Sequence, residues 1–304
     1  MTANGSLTGR RCVVVGGAGA VGGMFADLLA GAGAEVRVVD VARGDHDGRH
    51  AFTRGDVTAI DARLGAQLRG ADAVVLAVPA DAAEQALPGV AARLRPGALL
   101  ADTLSVKGGI AAAARRHAAH LQVVSVNPLF APSLGIAGRP LAAVVVHDGP
   151  QARALLRLLA DAGGRVVEVT ADEHDALAGA AQALPHAAVL AFGLALADLG
   201  VDVDRLAGLA PPPCQTLLAL LARIAAGAPA TYWDVQTANP HAAGARAALA
   251  GGLRRLATAI DRGDERAFGA LLAQLDLGDS AATYQELCSH IFDQVTPDQP
   301  KVKR

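Results

Sequence analysis

The sequence predicts a doubly wound α/β domain followed by an all-α domain. Short apolar, β-branched runs alternate with helical stretches over residues 1–170. A glycine-rich turn, GGAGAVGG, directly follows the first of these runs. After residue 171 the short runs disappear and helical periodicity takes over. We therefore expect one domain over residues 1–170 and a helical domain over residues 171–304.

Composition narrows the class of protein. The chain has 304 residues, 52% of them hydrophobic, and a net charge of −2. It can bury two cores and has no charge excess that would attract nucleic acid or an anionic membrane. Its three cysteines and its histidines show no metal-ligand spacing, so no metal site is expected. Residues 184–199 are apolar but short and interrupted for a membrane span, and no signal segment opens the chain, which favours a soluble cytoplasmic protein.

The individual elements follow from apolar runs and from helix breakers. Strands are predicted at residues 11–15, 35–39, 72–78, 99–101, 121–126, 140–147 and 165–169. Helices of the first domain are predicted at 24–30, 81–94 with a break at Pro88, and 108–120. Helices of the second domain are predicted at 172–199, 203–209, 214–226, 242–261 and 265–275, with a proline break at 211–213 and a frayed tail at 296–304.

The glycine-rich turn predicts a dinucleotide site of the Rossmann type. Gly17, Gly19 and Gly22 fit the pattern G-x-G-x-x-G between a strand and a helix. In this pattern Gly17 permits the tight turn, Gly19 lets the backbone approach a pyrophosphate, and Gly22 allows close helix packing. Ala20 and Val21 then open the helix, whose unpaired N–H groups and positive dipole end favour the pyrophosphate.

The end of the second strand indicates which dinucleotide binds. Asp40 lies about 20 residues beyond the glycines, where an acidic side chain binds the ribose 2′-hydroxyl. Its charge would repel a 2′-phosphate, which favours NAD over NADP, although Arg43 nearby keeps NADP open. Val78 and Pro79 end the next strand and are expected beside the cofactor, at the carboxyl edge of the sheet.

Polar side chains follow two later strands of the predicted sheet. Ser105 and Lys107 come after the strand at 99–101, and Asn127 comes after the strand at 121–126. Ligands of doubly wound sheets bind outside the carboxyl ends of the strands. We therefore expect cofactor and substrate to meet between residues 101 and 132.

Four segments are similar to a known family: GGAGAVGGMF, DTLSVKGG with NPLFAP, ADEHDALAGAAQALPHAAVLAFG, and RIAAGAPATYWDVQTANP. In this order they resemble the prephenate dehydrogenase family over nearly the whole chain. The resemblance implies oxidative decarboxylation of a cyclohexadiene, in which hydride leaves ring C4 for a nicotinamide and carbon dioxide leaves the opposite carbon. The long Ala-rich apolar helices of the second domain also favour a homodimer.

The chain departs from the family at one residue. Asn127, in NPLFAP, stands where the resemblance implies a histidine base in H-P-x-x-G-P, and Ala131 replaces the usual glycine. A neutral amide does not take up a proton near neutral pH. Such a base contributes about 10²–10⁴-fold in rate, so its loss needs an explanation.

Three interpretations of Asn127 remain open. In the first, ring C4 carries an amine whose lone pair drives hydride loss, and Asn127 Oδ1 accepts an N–H bond from it. The resemblance then points to 4-amino-4-deoxyprephenate, the precursor of 4-aminophenylpyruvate in antibiotic pathways. In the second, the protein is a prephenate or arogenate dehydrogenase of tyrosine biosynthesis that uses another base or a water. In the third, it is an inactive nucleotide-binding regulator.

The resemblance also implies roles for neighbouring side chains. Ser105 matches a serine that bonds the reacting group, with a helix cap as the alternative. Lys107 matches a family lysine at the substrate, with a solvated charge as the alternative. His186, in QALPH, matches a histidine that faces the substrate and bonds a carboxylate, with a core histidine as the alternative. Gln182 lies four residues earlier on the same predicted helix face and is expected in the same pocket.

The family arginine that binds the side-chain carboxylate is not clearly kept in this chain. The corresponding segment reads TANPHAAGAR, so His241 or Arg246 is the candidate. Loss of a bidentate guanidinium would weaken recognition of a carboxylate. The sequence therefore leaves open both the side chain of the substrate and the group carried by its ring.

Overall fold

The structure is a computed structural model that describes residues 7–42, 48–227 and 229–295. The chain divides into two compact units, Met1–Leu177 and Ala178–Arg304, and each is described by itself. Arg43 and the tail at residues 296–304 lie outside the described residues, so the expectations for them are not addressed by the structure.

The described part of the first unit contains one eight-stranded sheet, so the predicted doubly wound α/β domain is confirmed. The strands lie in the order β3-β2-β1-β4-β5-β6-β7-β8. Only the β6–β7 pair of this sheet runs antiparallel. The strand order reverses between β1 and β4, so a crevice opens at their carboxyl ends. The strands are β1 Arg11–Val15, β2 Glu35–Asp40, β3 Ala51–Arg54, β4 Ala73–Leu76, β5 Leu99–Asp102, β6 Gln122–Pro128, β7 Pro140–His147 and β8 Arg165–Glu168.

Helices cover both faces of this sheet and create two cores. Successive residues of a strand point to opposite faces. Val13 of β1 therefore packs in one core with Leu68, while Val14 packs in the other with Phe25 and Leu155. Because both faces are covered, β1 is apolar from residue 12 to residue 15 instead of alternating. The helices are α1 Ala20–Gly31, α2 Ala62–Gly70, α3 Ala80–Ala91, α4 Gly108–His117 and α5 Pro150–Asp161.

Several predicted boundaries in this unit are wrong. The helix break at Pro88 does not occur: α3 continues through it, because Leu87 and Val90 are buried and hold the last turn against the core. The strand predicted at 72–78 ends at Leu76, and Pro79 is the N-cap of α3. β3 was not predicted, since a four-residue strand carries little periodic signal. The helices α2 and α5 were not predicted either.

The second unit is helical, as predicted. A π turn at Gly179–Ala183 links α6 to α7, with the amide of Leu184 bonded to the carbonyl of Gly179. Pro185 follows and offers no amide, and a wider turn accommodates it. α10 and α13 were not predicted, and Pro212 opens α9 where the prolines were expected only to separate helices. α6 Ala171–Ala178 lies in the first unit except for its last residue. The helices of the second unit are α7 Leu184–Asp198, α8 Val203–Ala207, α9 Pro212–Ala225, α10 Pro229–Thr237, α11 Ala242–Asp261, α12 Glu265–Leu272 and α13 Ala281–Gln294.

One helical stretch is unusually apolar. Ala171–Asp198 reaches a mean hydropathy of 1.5 over 18 residues, and 11% of that window is buried within the chain. Its length and composition alone would allow it to cross a membrane, but a core helix of a soluble protein meets the same criterion. Leu194 and Leu199 are among the large apolar side chains left exposed. Such a surface marks an interaction site.

Candidate active site

The turn between β1 and α1 is closely packed, and two glycines make that possible. Gly16 has φ +78°, and a Cβ there would meet the carbonyl of Ala77. A Cβ at Gly22 would meet the carbonyl of Gly16, so α1 sits directly against the turn. The sequence assigned the tight turn to Gly17; the left-handed residue is Gly16, and Gly17 instead packs where a Cβ would lie 2.7 Å from Val38 Cγ1.

A cleft of about 460 Å³ lies along this turn. Gly19 caps α1, so the amides of Ala20 and Val21 belong to the first helical turn and need acceptors from outside the helix. Val78 lies against the turn, with Cγ1 2.9 Å from the position of a Gly16 Cβ. The cleft is lined by residues of the turn and α1, by Arg49, and by the segment after β6: Gly17, Ala18, Gly19, Ala20, Gly23, Met24, Asp27, Leu28, Pro132, Gly135 and Ile136.

Asp40 ends β2 beside this cleft. Its Oδ2 accepts a hydrogen bond from the amide of Ala18 at 3.1 Å, and its Oδ1 accepts one from the amide of Ala42 at 3.1 Å. The carboxylate is thus held against the glycine-rich turn. Three features of this region fit a nicotinamide dinucleotide. They are a glycine turn whose space side chains would fill, the N-terminus of a helix, and an acidic residue at the end of the next strand.

A buried ion pair lies behind the loop after β5. Lys107 is 0% exposed, and its Nζ lies 3.4 Å from Asp102 Oδ1. The same oxygen accepts bonds from Ser125 Oγ at 2.6 Å and from the amide of Leu104 at 3.1 Å. Burial lowers the pKa of Lys107, and the neighbouring Asp102 opposes that effect. Lys107 is therefore not a solvated charge, so that alternative is wrong, and its role at the substrate stays a prediction.

Asn127 is buried near the end of β6 and belongs to a hydrogen-bonded chain. Its Nδ2 lies 3.1 Å from Nε2 of His174, whose Nδ1 lies 2.8 Å from Oδ1 of Asp175. Asp175 also accepts the amides of Lys107 and Gly108, each at 2.8 Å. Burial raises the pKa of Asp175, but the bonds from His174 and the two amides outweigh it, so the net pKa is lowered.

Ser105 lies half-buried in the loop before α4. The alternative role of Ser105 as a helix cap is wrong, because the amides at the start of α4 bond to Asp175 instead. Within the part of the chain that the structure describes, no hydrogen bond joins Ser105 to Asn127 or to another group. Its hydroxyl is therefore available to a ligand.

His186 is half-buried in α7 of the second unit. Its ring packs edge-on against Tyr232, with centroids 5.2 Å apart and planes at 76°. Its Nδ1 is buried and has no partner among the described residues. Burial, and then the positive charge of Arg223, lower the pKa of His186. Gln182 lies in the π turn, so the α-helical spacing assumed for this pair does not hold, and no hydrogen bond joins the two side chains within the described residues.

His241 and Arg246 lie at the start of α11, and both are exposed. Arg246 Nη1 donates to the backbone oxygen of Gln236 at 2.7 Å and to its Oε1 at 2.8 Å. Gln236 Nε2 in turn donates to the carbonyl of Ala183 at 2.8 Å. A Cβ at Gly179 would lie 2.9 Å from His241 Cβ. Both candidates thus support the π turn within this unit.

Sequence reasoning missed the groups that surround Asn127. His174 and Asp175 were part of a quoted segment, but nothing in their spacing relative to Asn127 predicted contact. The signal that could have indicated them is local: a histidine followed by an acid near the start of a helix. Asp102 directly follows the predicted strand at 99–101 but was assigned no role, and Ser125 was taken as part of an apolar run.

Two family models match the chain. The prephenate dehydrogenase nucleotide-binding domain matches residues 26–140, and the prephenate dehydrogenase dimerization domain matches residues 170–274. The sheet and its turn define a dinucleotide-binding oxidoreductase. More particularly, the chain belongs to the prephenate dehydrogenase family, and it is a nicotinamide-dependent dehydrogenase.

Relatives and solved structures agree with that assignment. A Streptomyces pristinaespiralis protein named 4-amino-4-deoxyprephenate dehydrogenase is 54% identical over 95% of this chain and 98% of its own length. A probable arogenate/prephenate dehydrogenase of Methanocaldococcus jannaschii is 26% identical over 75% of this chain and 51% of its own length. The prephenate dehydrogenase from Aquifex aeolicus, solved in complex with hydroxyphenyl propionate and NAD+, shares the fold, with TM-score 0.65, 19% identity, and coverage of 91% of this chain and 98% of that chain.

Proposed function

We propose that this protein catalyses the NAD-dependent oxidative decarboxylation of 4-amino-4-deoxyprephenate to 4-aminophenylpyruvate. The observation that carries the proposal is Asn127, a buried amide where the family places a histidine base. The 54% identical relative named for this substrate supports it.

The chemistry of an amino substrate suits a site without a base. When bound, NAD would accept the hydride that leaves ring C4. The lone pair of the neutral C4 amine forms a C=N bond as that hydride departs. The C1–carboxylate bond then breaks, carbon dioxide leaves, and the released electron pair returns through the ring to nitrogen, giving an aniline. No proton has to be removed from the neutral amine during hydride loss.

Each proposed residue has a role that its chemistry allows. Asn127 Oδ1 accepts an N–H bond from the C4 amine, and the Ser105 hydroxyl bonds the same group. Asp40 accepts bonds from the ribose hydroxyls of NAD and disfavours the 2′-phosphate of NADP. In the helical unit, His186 binds a substrate carboxylate, which would supply a partner for an imidazole that has an unpaired, buried Nδ1.

We also propose a cytoplasmic homodimer formed through the helical unit. The matched dimerization-domain model and the exposed apolar residues of this unit support it. Leu194, Leu209 and Leu253 are each more than half exposed in the single chain. A second copy would remove such surface from water. This accounts for the apolar helix at Ala171–Asp198 without a membrane.

The test is a comparison of substrates with purified protein and NAD. Formation of NADH is followed at equal concentrations of 4-amino-4-deoxyprephenate, prephenate and arogenate. We expect kcat/KM for the amino substrate to exceed the other two by about 10²-fold or more, the range that a missing base implies. Comparable values, or a preference for a hydroxyl substrate, would instead establish the prephenate or arogenate dehydrogenase. NAD binding without turnover of any substrate would indicate the regulator.

A further inference from the structure

His174 and Asp175 form a buried pair directly behind Asn127. Each of the two is 3% exposed. His174 Nδ1 lies 2.8 Å from Asp175 Oδ1, and His174 Nε2 lies 3.1 Å from Asn127 Nδ2. His174 and Asn127 are 47 residues apart in sequence, so the fold, not the local chain, brings them together.

The direction of this hydrogen-bonded chain follows from its acidic end. The Asp175 carboxylate also receives two backbone amides and can only accept, so His174 Nδ1 must carry the proton that it receives. In a neutral ring, Nε2 is then the acceptor. The group that faces it must donate, which places the NH₂ of Asn127 against His174. Oδ1 of Asn127 lies on the other side of the amide and has no partner among the described residues.

The orientation of this amide matters for the chemistry. An unrestrained amide can turn over and exchange its oxygen for its nitrogen at little steric cost. A turned Asn127 would donate N–H toward the C4 amine and engage its lone pair, the electron pair that must drive hydride loss. The oxygen-outward orientation instead accepts an N–H bond and leaves the lone pair free.

We propose that His174, held by Asp175, is a positioning residue that fixes the Asn127 amide with its oxygen toward the reacting group. The site thereby selects substrates whose substituent on ring C4 donates a hydrogen bond to Asn127. The substrate part of this inference rests on the proposed function, whereas the orientation of the amide does not. His174 contacts neither the bond that breaks nor a proton in transfer; it acts through Asn127.

Two substitutions at His174 distinguish the loss of the hydrogen-bond acceptor from the loss of side-chain volume. His174→Leu keeps an apolar side chain in the space but removes the acceptor, so Asn127 can turn over. His174→Gln can donate Nε2–H to Asp175 and accept from Asn127 with Oε1. With 4-amino-4-deoxyprephenate we expect kcat to fall about tenfold or more in His174→Leu, with the KM for NAD unchanged. His174→Gln should stay within about threefold of the parent, since it keeps the acceptor.

A spectroscopic measurement tests the orientation without turnover. In the ¹⁵N-labelled protein, long-range ¹H–¹⁵N correlations should show His174 protonated at Nδ1 and not at Nε2. Asp175→Leu removes the acceptor at Nδ1, so the proton should no longer be held on that nitrogen. An Nε2-protonated His174 in the parent would overturn the inference, as would equal losses of kcat in folded His174→Leu and His174→Gln. A preference of the parent enzyme for prephenate would refute the proposed function. The tautomer of His174 would still test whether His174 fixes the orientation of the Asn127 amide.

Discussion

Lys107 Nζ lies 3.4 Å from Asp102 Oδ1, with both side chains almost entirely removed from solvent. Ser125 donates to the same carboxylate oxygen from the neighbouring strand β6. The pair therefore ties the loop after β5 to the sheet, directly below the segment that carries Ser105. The Lys107 charge therefore stabilises this loop through Asp102.

Removal of one partner of this pair should destabilise the protein strongly. Lys107→Met leaves the Asp102 carboxylate buried without its cation, and such a loss costs about 3–5 kcal/mol. The double variant Lys107→Met/Asp102→Asn should be more stable than Lys107→Met alone, because no buried charge is left uncompensated. Urea unfolding of the parent and both variants measures this. A double variant no more stable than Lys107→Met would contradict a buried ion pair.

Restoration of a base at position 127 should change substrate preference. Asn127→His should raise kcat/KM for prephenate by about 10²-fold, because the imidazole can take the hydroxyl proton as hydride leaves. It should lower the value for the amino substrate, which loses its N–H acceptor. Asn127→Leu, of similar size and without an acceptor, is the control and should help neither substrate. No gain with prephenate would mean that the discrimination lies elsewhere.

The cofactor turn should not tolerate a methyl group at Gly22. A Cβ there meets the carbonyl of Gly16, so Gly22→Ala must push α1 away from the turn. We expect the Kd for NAD to rise about tenfold or more, since the helix N-terminus moves from the pyrophosphate. Gly31→Ala, in the last turn of the same helix, meets nothing within 4 Å and is the matched control. Titration calorimetry on both variants checks this, and equal Kd values would show that the contact is not critical.

The charge of Asp40 should set the cofactor preference. Asp40→Asn keeps an oxygen for the amide of Ala18 but removes the negative charge that would repel a 2′-phosphate. The ratio of kcat/KM with NAD to that with NADP should fall by about tenfold. Asp40→Ala also removes the hydrogen bonds from the amides of Ala18 and Ala42, and so separates the contribution of charge from that of hydrogen bonding. A parent enzyme that uses both dinucleotides equally well would refute this assignment.

Stability should fall when His186 becomes protonated. Burial, and then Arg223, hold the pKa of His186 below its ordinary value of 6.5 in the folded chain. The unfolded chain therefore binds more protons just below that pH, so the free energy of unfolding decreases as pH falls through 6.5 toward the folded pKa. His186→Gln should flatten this dependence, whereas His290→Gln, at an exposed histidine of α13, should leave the His186 contribution in place. Denaturant unfolding between about pH 5 and 8 covers the range in which histidine titrates.

The sequence predicted the elements whose signals are local. β1, the glycine-rich turn, α1 and the acid at Asp40 follow from residues within a short stretch, where backbone sterics decide the conformation. The long helix at Ala242–Asp261 was predicted with its observed bounds because its apolar spacing is regular. Pro88 shows the limit of such reasoning, since buried neighbours on the core side outweighed a local helix breaker.

By itself, the sequence determined the class of fold, the family and the absence of a histidine base at Asn127, because each depends on residue type and order. Only the tertiary structure decided that Lys107 is buried on Asp102, that Asp175 caps α4, and that His174 meets Asn127. These contacts join residues on different strands and helices. Which residues meet depends on the order of strands in the sheet and on the hydrogen bonds that buried polar groups require. A local sequence pattern contains neither kind of information.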